Sequence, residues 1–559
     1  MEMKVGTKMS EEKQQTSSSE ATRDKMLSGS AWMTAGSMFS RLLGAIYIIP
    51  WRIWFGSYFL LGNALYGFGY NIYSFFLIAA IAGIPSAIAK QVAHYNALNE
   101  YGVGVRLYKR GLVLSVSTGI ICALVLYFGA PLMDGGNPNV IPVLHSLAWA
   151  ILVIPTMSLT RGYFQGYQQM APSAISQFVE QLARVLYMLL TAYLIMQVWH
   201  GSWITAVAQS TFAAFVGAVC GLLTLGYYYW KRRRTFRSLV ANSNNEIKVQ
   251  TSQLYHEIIA QAVPFIILGA GITIFQLIDQ YTFFDIMRMA TNYSNDALND
   301  LYALFAVNAN KLVMIPISLA SALAITSVPL LSVAITKGDT KAIKGQTTNV
   351  FLLFLYVMTP AALGMAAIAG PLNRVFYGQA HQALGANILS FSAIISIPLG
   401  LFTVFAAVMQ GLNQNKRAVK YFLIGTVVKL AVQWPCVYFL GTFGALLATG
   451  IGILVASGLI INNLNKQYGF DNKLLGNDFA KISGYSLLVY GSALAVVYLL
   501  NFLLGLFIDP NGGMASLLVS LVSVLVGGGL YVYFTLKYRV ADDVLGPRSE
   551  GLRARLHIK

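Results

Sequence analysis

Charge is what this sequence has least of. Asp, Glu, Lys and Arg make up 11% of its 559 residues. Soluble domains carry about 25%, so a water-soluble fold is excluded. Acids are the scarcer sign, with 21 Asp and Glu against 38 Lys and Arg and a formal net charge of +17. A basic excess can mark a nucleic-acid partner, but these cations lie between apolar runs and form no patch, which excludes that partner. Cysteine is nearly absent: Cys122, Cys220 and Cys436 sit inside apolar runs as packing residues, and make neither a disulfide framework nor a metal site. No Gly-Lys-Ser/Thr phosphate loop occurs, and the His256-Glu257 pair has Ala260 where a zinc-protease pattern requires a second histidine. No catalytic residue, no metal and no cofactor are therefore expected. The first 27 residues are polar and run directly into an apolar stretch with no small-residue cleavage site, so no removable signal peptide is expected.

Apolar surface is abundant. Hydrophobic residues make up 56% of the chain and the mean hydropathy is +0.62. Many runs exceed the roughly 18–20 residues that cross a bilayer as a helix, and lipid offers no partner to open backbone, so the spans must be helical. Fourteen are expected, near 28–54, 60–89, 109–133, 141–163, 172–198, 202–230, 257–287, 299–334, 346–370, 384–410, 415–439, 443–464, 480–508 and 514–536. With both termini on one side, that side collects 31 of the 38 Lys and Arg, which makes it cytoplasmic. The others (Arg41, Arg52, Arg184, Arg288, Lys311, Arg374 and Lys429) lie within spans or opposite. The longest internal connection, 231–256, opens with Lys231-Arg232-Arg233-Arg234, which serves topology first and contact with anionic lipid second.

The expected fold is an all-α polytopic membrane protein with 14 transmembrane helices, arranged as two six-helix lobes plus two C-terminal helices. A cytoplasmic N-tail (1–27) precedes an N-lobe (28–230), the basic linker (231–256), a C-lobe (257–464), a final pair of spans (480–536) and a cytoplasmic C-tail (537–559). An internal repeat supports the two lobes. Gln165-Gly166 recurs 245 residues later as Gln410-Gly411, Arg184 falls on Lys429 at the same offset, and Ile154-Pro155 nearly matches Ile397-Pro398. Parallel repeats related by an axis along the membrane normal place a substrate site between halves near the midplane.

Ionisable groups inside spans cost about 2.5–3.5 kcal/mol each on insertion scales, so each requires a reason. Arg41, Arg184, Lys311 and Lys429 come from four spans and both halves; the acids at comparable depth are Glu180 and Asp279, with Asp285 nearer the outer edge. Each cation belongs to a polar stripe at helical spacing. The stripes are Thr34, Ser37, Arg41, Gly44; Gln177, Glu180, Gln181, Arg184; Asn308, Lys311, Ser318; and Thr426, Lys429, Gln433. Two readings compete. Neutralised packing pairs would join Glu180 to Arg184 at i,i+4 and Lys429 to Asp279. A water-filled cationic cavity would instead take an anion such as phosphate or pyrophosphate, to which Arg offers a planar fork and Lys a point charge. Arg41 and Lys311, with no acid within a turn, favour the cavity. Gly62, Gly67 and Gly69 around Tyr66 and Tyr70 are read as close helix packing, with a gate or hinge as the alternative.

The stretch Thr160-Arg161-Gly162-Tyr163-Phe164-Gln165-Gly166, followed by Pro172, Ser176-Gln177, Glu180-Gln181 and Arg184, resembles the MurJ/SpoVB group of the multidrug/oligosaccharidyl-lipid/polysaccharide exporter superfamily. Ser40-Arg41-Leu42-Leu43-Gly44 and the segment from Asn310-Lys311 to Pro316 are similar to that group's first and eighth helices. The resemblance implies a flippase carrying an undecaprenyl-pyrophosphate-linked oligosaccharide, chiefly lipid II, across the bacterial plasma membrane by alternating access, in peptidoglycan synthesis. It also implies spans 13 and 14 as a groove for the lipid tail, Arg41 and Lys311 as headgroup contacts, and membrane lipids and wall-synthesis proteins as partners. Tyr47 stands where better-known members carry a second arginine, and Met314 where they carry an acid. Headgroup contacts are therefore expected to extend to Arg184 and Lys429, supported by Glu180, Gln181, Asp279 and Gln433. Some relatives hold sodium between an acid on span 7 and polar groups on span 11. The matching Asp279, Lys429 and Gln433 imply that an ammonium replaces the metal, with transport that does not require sodium. The alternatives are a teichoic- or capsule-repeat flippase, a drug exporter (which would favour acids in its cavity) and, in another class, a polytopic glycosyltransferase or a wall-complex scaffold.

Overall fold

The computed structural model describes residues 44, 46–81, 83–244, 263–507, 509–545 and 548–558, and among them there is no strand. In order, the helices are α1 (Ile48–Phe55), α2 (Phe59–Ile81), α3 (Ile84–Ala97), α4 (Tyr101–Met133), α5 (Val140–Gly166), α6 (Met170–Tyr193) and α7 (Trp203–Ala241). After them come α8 (Gly271–Ala290), α9 (Asn295–Tyr302), α10 (Asn310–Thr336), α11 (Thr340–Ala367), α12 (Ala369–Tyr377) and α13 (Gln382–Gly411). The last six are α14 (Asn415–Leu440), α15 (Thr442–Tyr468), α16 (Asn472–Gly505), α17 (Gly513–Lys537), α18 (Val540–Leu545) and α19 (Arg548–Arg555). Among the described residues twelve helices are long and apolar enough to cross a bilayer. The pair Val263–Gly269 and Gly271–Ala290, bent by 63°, makes a thirteenth if it counts as one span. These thirteen match expected spans 2 to 14; most of the first, 28–54, lies outside the described residues, and with it Arg41.

Helix ends follow local chemistry. Ser202, Ser294, Asp339 and Asp471 each accept a hydrogen bond from a backbone N–H of the first turn that follows, which satisfies a donor the helix cannot. Left-handed residues end others: Asn99, Gln168, Gly338 and Asn413 have φ of +58°, +56°, +67° and +57°.

The chain folds into two compact units. The first holds the described parts of Met1–Trp54 with Ile72–Ile266, the second Phe55–Asn71 with Ile267–Lys559. The division differs from the lobes expected at 28–230 and 257–464, because the first half of α2 groups with the second unit. The reason is a stripe on α2. Asn63, Gly67 and Asn71 stand one helical turn apart, and Gly67 lets the backbone close on Val307, whose side chain occupies the place of a Cβ. Close packing is thus the role of Gly67.

The repeat is visible inside each unit separately. Gly166 and Gly411 end α5 and α13, Gln168 and Asn413 supply the left-handed turn, and Met170 and Asn415 open the next helix, all 245 residues apart. In the first unit a Cβ on Gly217 would lie 2.6 Å from Glu180 O and 3.0 Å from Arg184 Cβ. In the second, a Cβ on Gly452 would lie 2.8 Å from both Gly425 O and Lys429 Cβ. A glycine of the following helix therefore presses on the same two positions in each half. Helices α16 and α17 pack on α11 through Ala367, Ile368, Ala493, Val497 and Val519, and the Tyr531 hydroxyl donates to Tyr356 O at 2.8 Å.

Candidate functional site

Lys311 opens α10 just after a π-helical segment, Ala303–Ala309. Such bulges shift backbone hydrogen bonds and recur at functional sites; here Asn308 O accepts from the Tyr377 hydroxyl at 2.8 Å. The Lys311 ammonium donates to Asn63 Oδ1 at 2.9 Å and stands 5.0 Å from the centre of the Tyr66 ring. Asn63 Nδ2 in turn donates to Asn308 Oδ1. Tyr66 stacks on Tyr70 at 5.5 Å. A half-buried cation is thus in contact with an amide and an aromatic face. Cation–π contact is worth about 0.5–2 kcal/mol, enough to help orient the ammonium.

Two turns further along the α2 stripe from Asn63, Asn71 Nδ2 donates to Gln280 Oε1 at 3.1 Å and to the Tyr302 hydroxyl at 3.3 Å. The Tyr302 hydroxyl donates to the same Gln280 oxygen at 3.1 Å. Gln280 adjoins Asp279 on α8, where the second cation is found. Lys429 is fully buried and its ammonium lies 2.8 Å from Asp279 Oδ1. Gln433 Nε2 donates to the same oxygen at 2.9 Å, and the Thr449 hydroxyl donates to Asp279 Oδ2 at 3.0 Å. Lys429 also donates to Thr449 Oγ1 and sits 5.1 Å from the Phe275 ring centre. Three helices (α8, α14 and α15) thus converge on one carboxylate, whose two oxygens are both engaged. Of the two readings of Lys429, the structure contains the packing pair with Asp279 and not an open headgroup contact, which makes Lys429 a neutralised cation.

The first unit differs from expectation. Glu180 does not pair with Arg184 one turn along α6; its Oε2 accepts from Arg161 Nη2 at 2.7 Å. The same nitrogen donates to Ser176 Oγ at 2.9 Å, and Ser176 Oγ donates to Gly221 O at 2.9 Å. The cause is the length of α5, which runs to Gly166 and carries Arg161 across from Ser176 and Glu180. Arg184 is half-buried, its Cβ under Gly217. A Cβ on Gly44 would lie 3.5 Å from Gln181 Nε2, so the stripes of spans 1 and 5 meet at that point. Arg41 lies outside the described residues. Sequence reasoning missed Asn63, Asn71, Gln280 and Tyr302; the signal available for two of them was the Asn63–Gly67–Asn71 spacing.

A family model described as polysaccharide biosynthesis protein matches residues 26–335. The lipid II flippase MurJ of Bacillus subtilis (strain 168) is 33% identical over 541 residues, 94% of this chain and 98% of that protein. Stage V sporulation protein B of the same organism is 23% identical over 79% of this chain and 83% of its own length. Among solved structures, a lipid II flippase MurJ in an inward closed conformation superposes with a TM-score of 0.56 at 13% identity, over 89% of this chain and 98% of that one. That likeness speaks for the fold; the sequence match speaks for the family. The chain is a multi-pass membrane protein belonging to the polysaccharide biosynthesis protein family and, within it, to the MurJ/SpoVB group.

Proposed function

We propose that this protein is a lipid II flippase of the bacterial cell membrane, moving the undecaprenyl-pyrophosphate-linked precursor from the inner to the outer leaflet by alternating access. It acts as a transporter and not as an enzyme, with both termini in the cytoplasm. The observation that carries the reading is Lys311: a cation at membrane depth held by Asn63 and Tyr66, where an anionic headgroup can exchange for the amide contact. Arg41 and Arg184 are the further headgroup contacts in this reading. Lys429, tied to Asp279, serves instead as a fixed internal charge that keeps α8, α14 and α15 together. Helices α16 and α17 hold the polyprenyl tail. Close kinship over nearly the whole length of a lipid II flippase supports this assignment of cargo.

Depletion of the protein in cells tests it. Lipid II should accumulate on the cytoplasmic side while its synthesis continues; accumulation of a teichoic or capsular precursor with normal lipid II would assign a different cargo.

A further inference from the structure

The basic run at the end of α7 is left unused by the flippase reading. Helix α7 is unbroken for 39 residues, Trp203–Ala241, about 58 Å at 1.5 Å per residue against about 30 Å of hydrocarbon. Its last turns therefore extend beyond the apolar layer, and an aromatic clamp fixes how they face. Phe236 is 4% exposed and packs on Tyr163 and Phe164 of α5 and on Tyr167 just past its end at ring separations of 5.9, 6.2 and 4.9 Å. Tyr229, two turns earlier, stacks on Phe236 at 5.7 Å. Tyr108 of α4 stacks on Tyr163 at 4.2 Å, and Asn244 N–H, just past the helix, donates to Asn99 O at 3.2 Å.

With Phe236 turned inward and Tyr229 stacked on it, helical spacing puts a different set on the outer face. Leu223, Tyr227, Trp230, Arg234 and Arg237 follow one another at intervals of three or four residues, and all are exposed. Arg233 flanks them, its guanidinium 5.5 Å from the centre of the Trp230 ring. The order along the face is apolar, then aromatic, then cationic, which is the order of acyl chain, interface and phosphate in one leaflet of a bilayer. The positive-inside rule asks for charge on this connection. It does not ask for arginine, nor for alignment beneath a tryptophan.

We propose that this face of α7 is a binding site for an anionic phospholipid, with Arg233, Arg234 and Arg237 on the headgroup phosphate and the acyl chain along Leu223 and Tyr227. Guanidinium forks grip phosphate oxygens in pairs, and the aromatic clamp removes the entropy cost of ordering the helix on binding. The site is independent of the transported cargo.

The test uses the full-length protein purified from mixed phosphatidylcholine and phosphatidylglycerol, with retained lipid counted by native mass spectrometry. The unmodified protein should retain phosphatidylglycerol in preference to phosphatidylcholine. The variant Arg233→Gln, Arg234→Gln, Arg237→Gln should lose that preference, by about fivefold per charge and on the order of a hundredfold for all three. A control with Lys337→Gln, Lys341→Gln, Lys344→Gln removes equal charge from the α10–α11 turn and the start of α11 and should keep it. Undiminished retention in the arginine variant, or equal loss in the lysine control, overturns the proposal.

Discussion

Replacing Lys429 with methionine keeps the length of the side chain and removes its charge. Asp279 would then sit in the interior of the second unit with the Gln433 amide and the Thr449 hydroxyl, but without its counter-ion. Removing one partner of a buried pair costs about 3–5 kcal/mol. Two neutral donors remain on the carboxylate, which places the expected loss near the lower end, about 3 kcal/mol. Asp279→Asn leaves the ammonium stranded in the same way and should cost a similar amount. The double variant Lys429→Met, Asp279→Asn restores neutrality, so its cost should fall short of the sum by about 2–3 kcal/mol. The measurement is the unfolding free energy of the four purified proteins in mixed micelles. A single-variant cost below about 1 kcal/mol, or a double variant that is simply additive, refutes the argument that the pair carries the packing of α8, α14 and α15.

The same pair bears on energy coupling. Because both Asp279 oxygens are engaged, transport should proceed at an unchanged rate in sodium-free buffer, and Lys429→Asn should introduce a sodium dependence; loss of transport by the unmodified protein on sodium removal would contradict this. Gly217→Ala and Gly452→Ala each force a methyl group against backbone at 2.6 and 2.8 Å, and thermal or denaturant unfolding should show a loss of about 1–3 kcal/mol. Gly226→Ala, with nothing within 4 Å of its Cβ, should be neutral or slightly stabilising. Near the C-terminus, Arg553 donates to both Asp542 oxygens at 2.5 and 2.6 Å and holds that carboxyl below the usual carboxylate range. A depressed value means that the contact stabilises at neutral pH and is lost as pH falls through the depressed value. Hydrogen exchange in α18 and α19 should therefore rise below about pH 4, the ordinary Asp range, and Arg553→Gln should abolish that step.

What the sequence disclosed and what it hid have a common physical basis. A charge in lipid is expensive enough to announce itself, so Lys311, Lys429 and Asp279 stand out from a single chain, and Asp279 could be matched to Lys429. Glu180 was matched wrongly because a same-helix partner at i,i+4 is legible, whereas Arg161 reaches it only through the extent of α5. The amides Asn63, Asn71 and Gln280 carry a smaller penalty and lack any charge to balance. Their meeting depends on a π-helical segment at Ala303–Ala309 that has no sequence signature. The repeat was legible from Gln165-Gly166 and Gln410-Gly411. Its deeper sign, the glycines at 217 and 452 pressing on equivalent positions, needs the packing of neighbouring helices.

The most direct test of the account is lipid II movement in vesicles containing only the purified protein, followed with a fluorescent lipid II and a reagent confined to one side. The account predicts protein-dependent transbilayer movement that Lys311→Ala slows by about tenfold or more, the worth of one charge-assisted hydrogen bond, and that Lys311→Arg largely retains. Movement no faster than in protein-free vesicles, or an undiminished rate in Lys311→Ala, would contradict it.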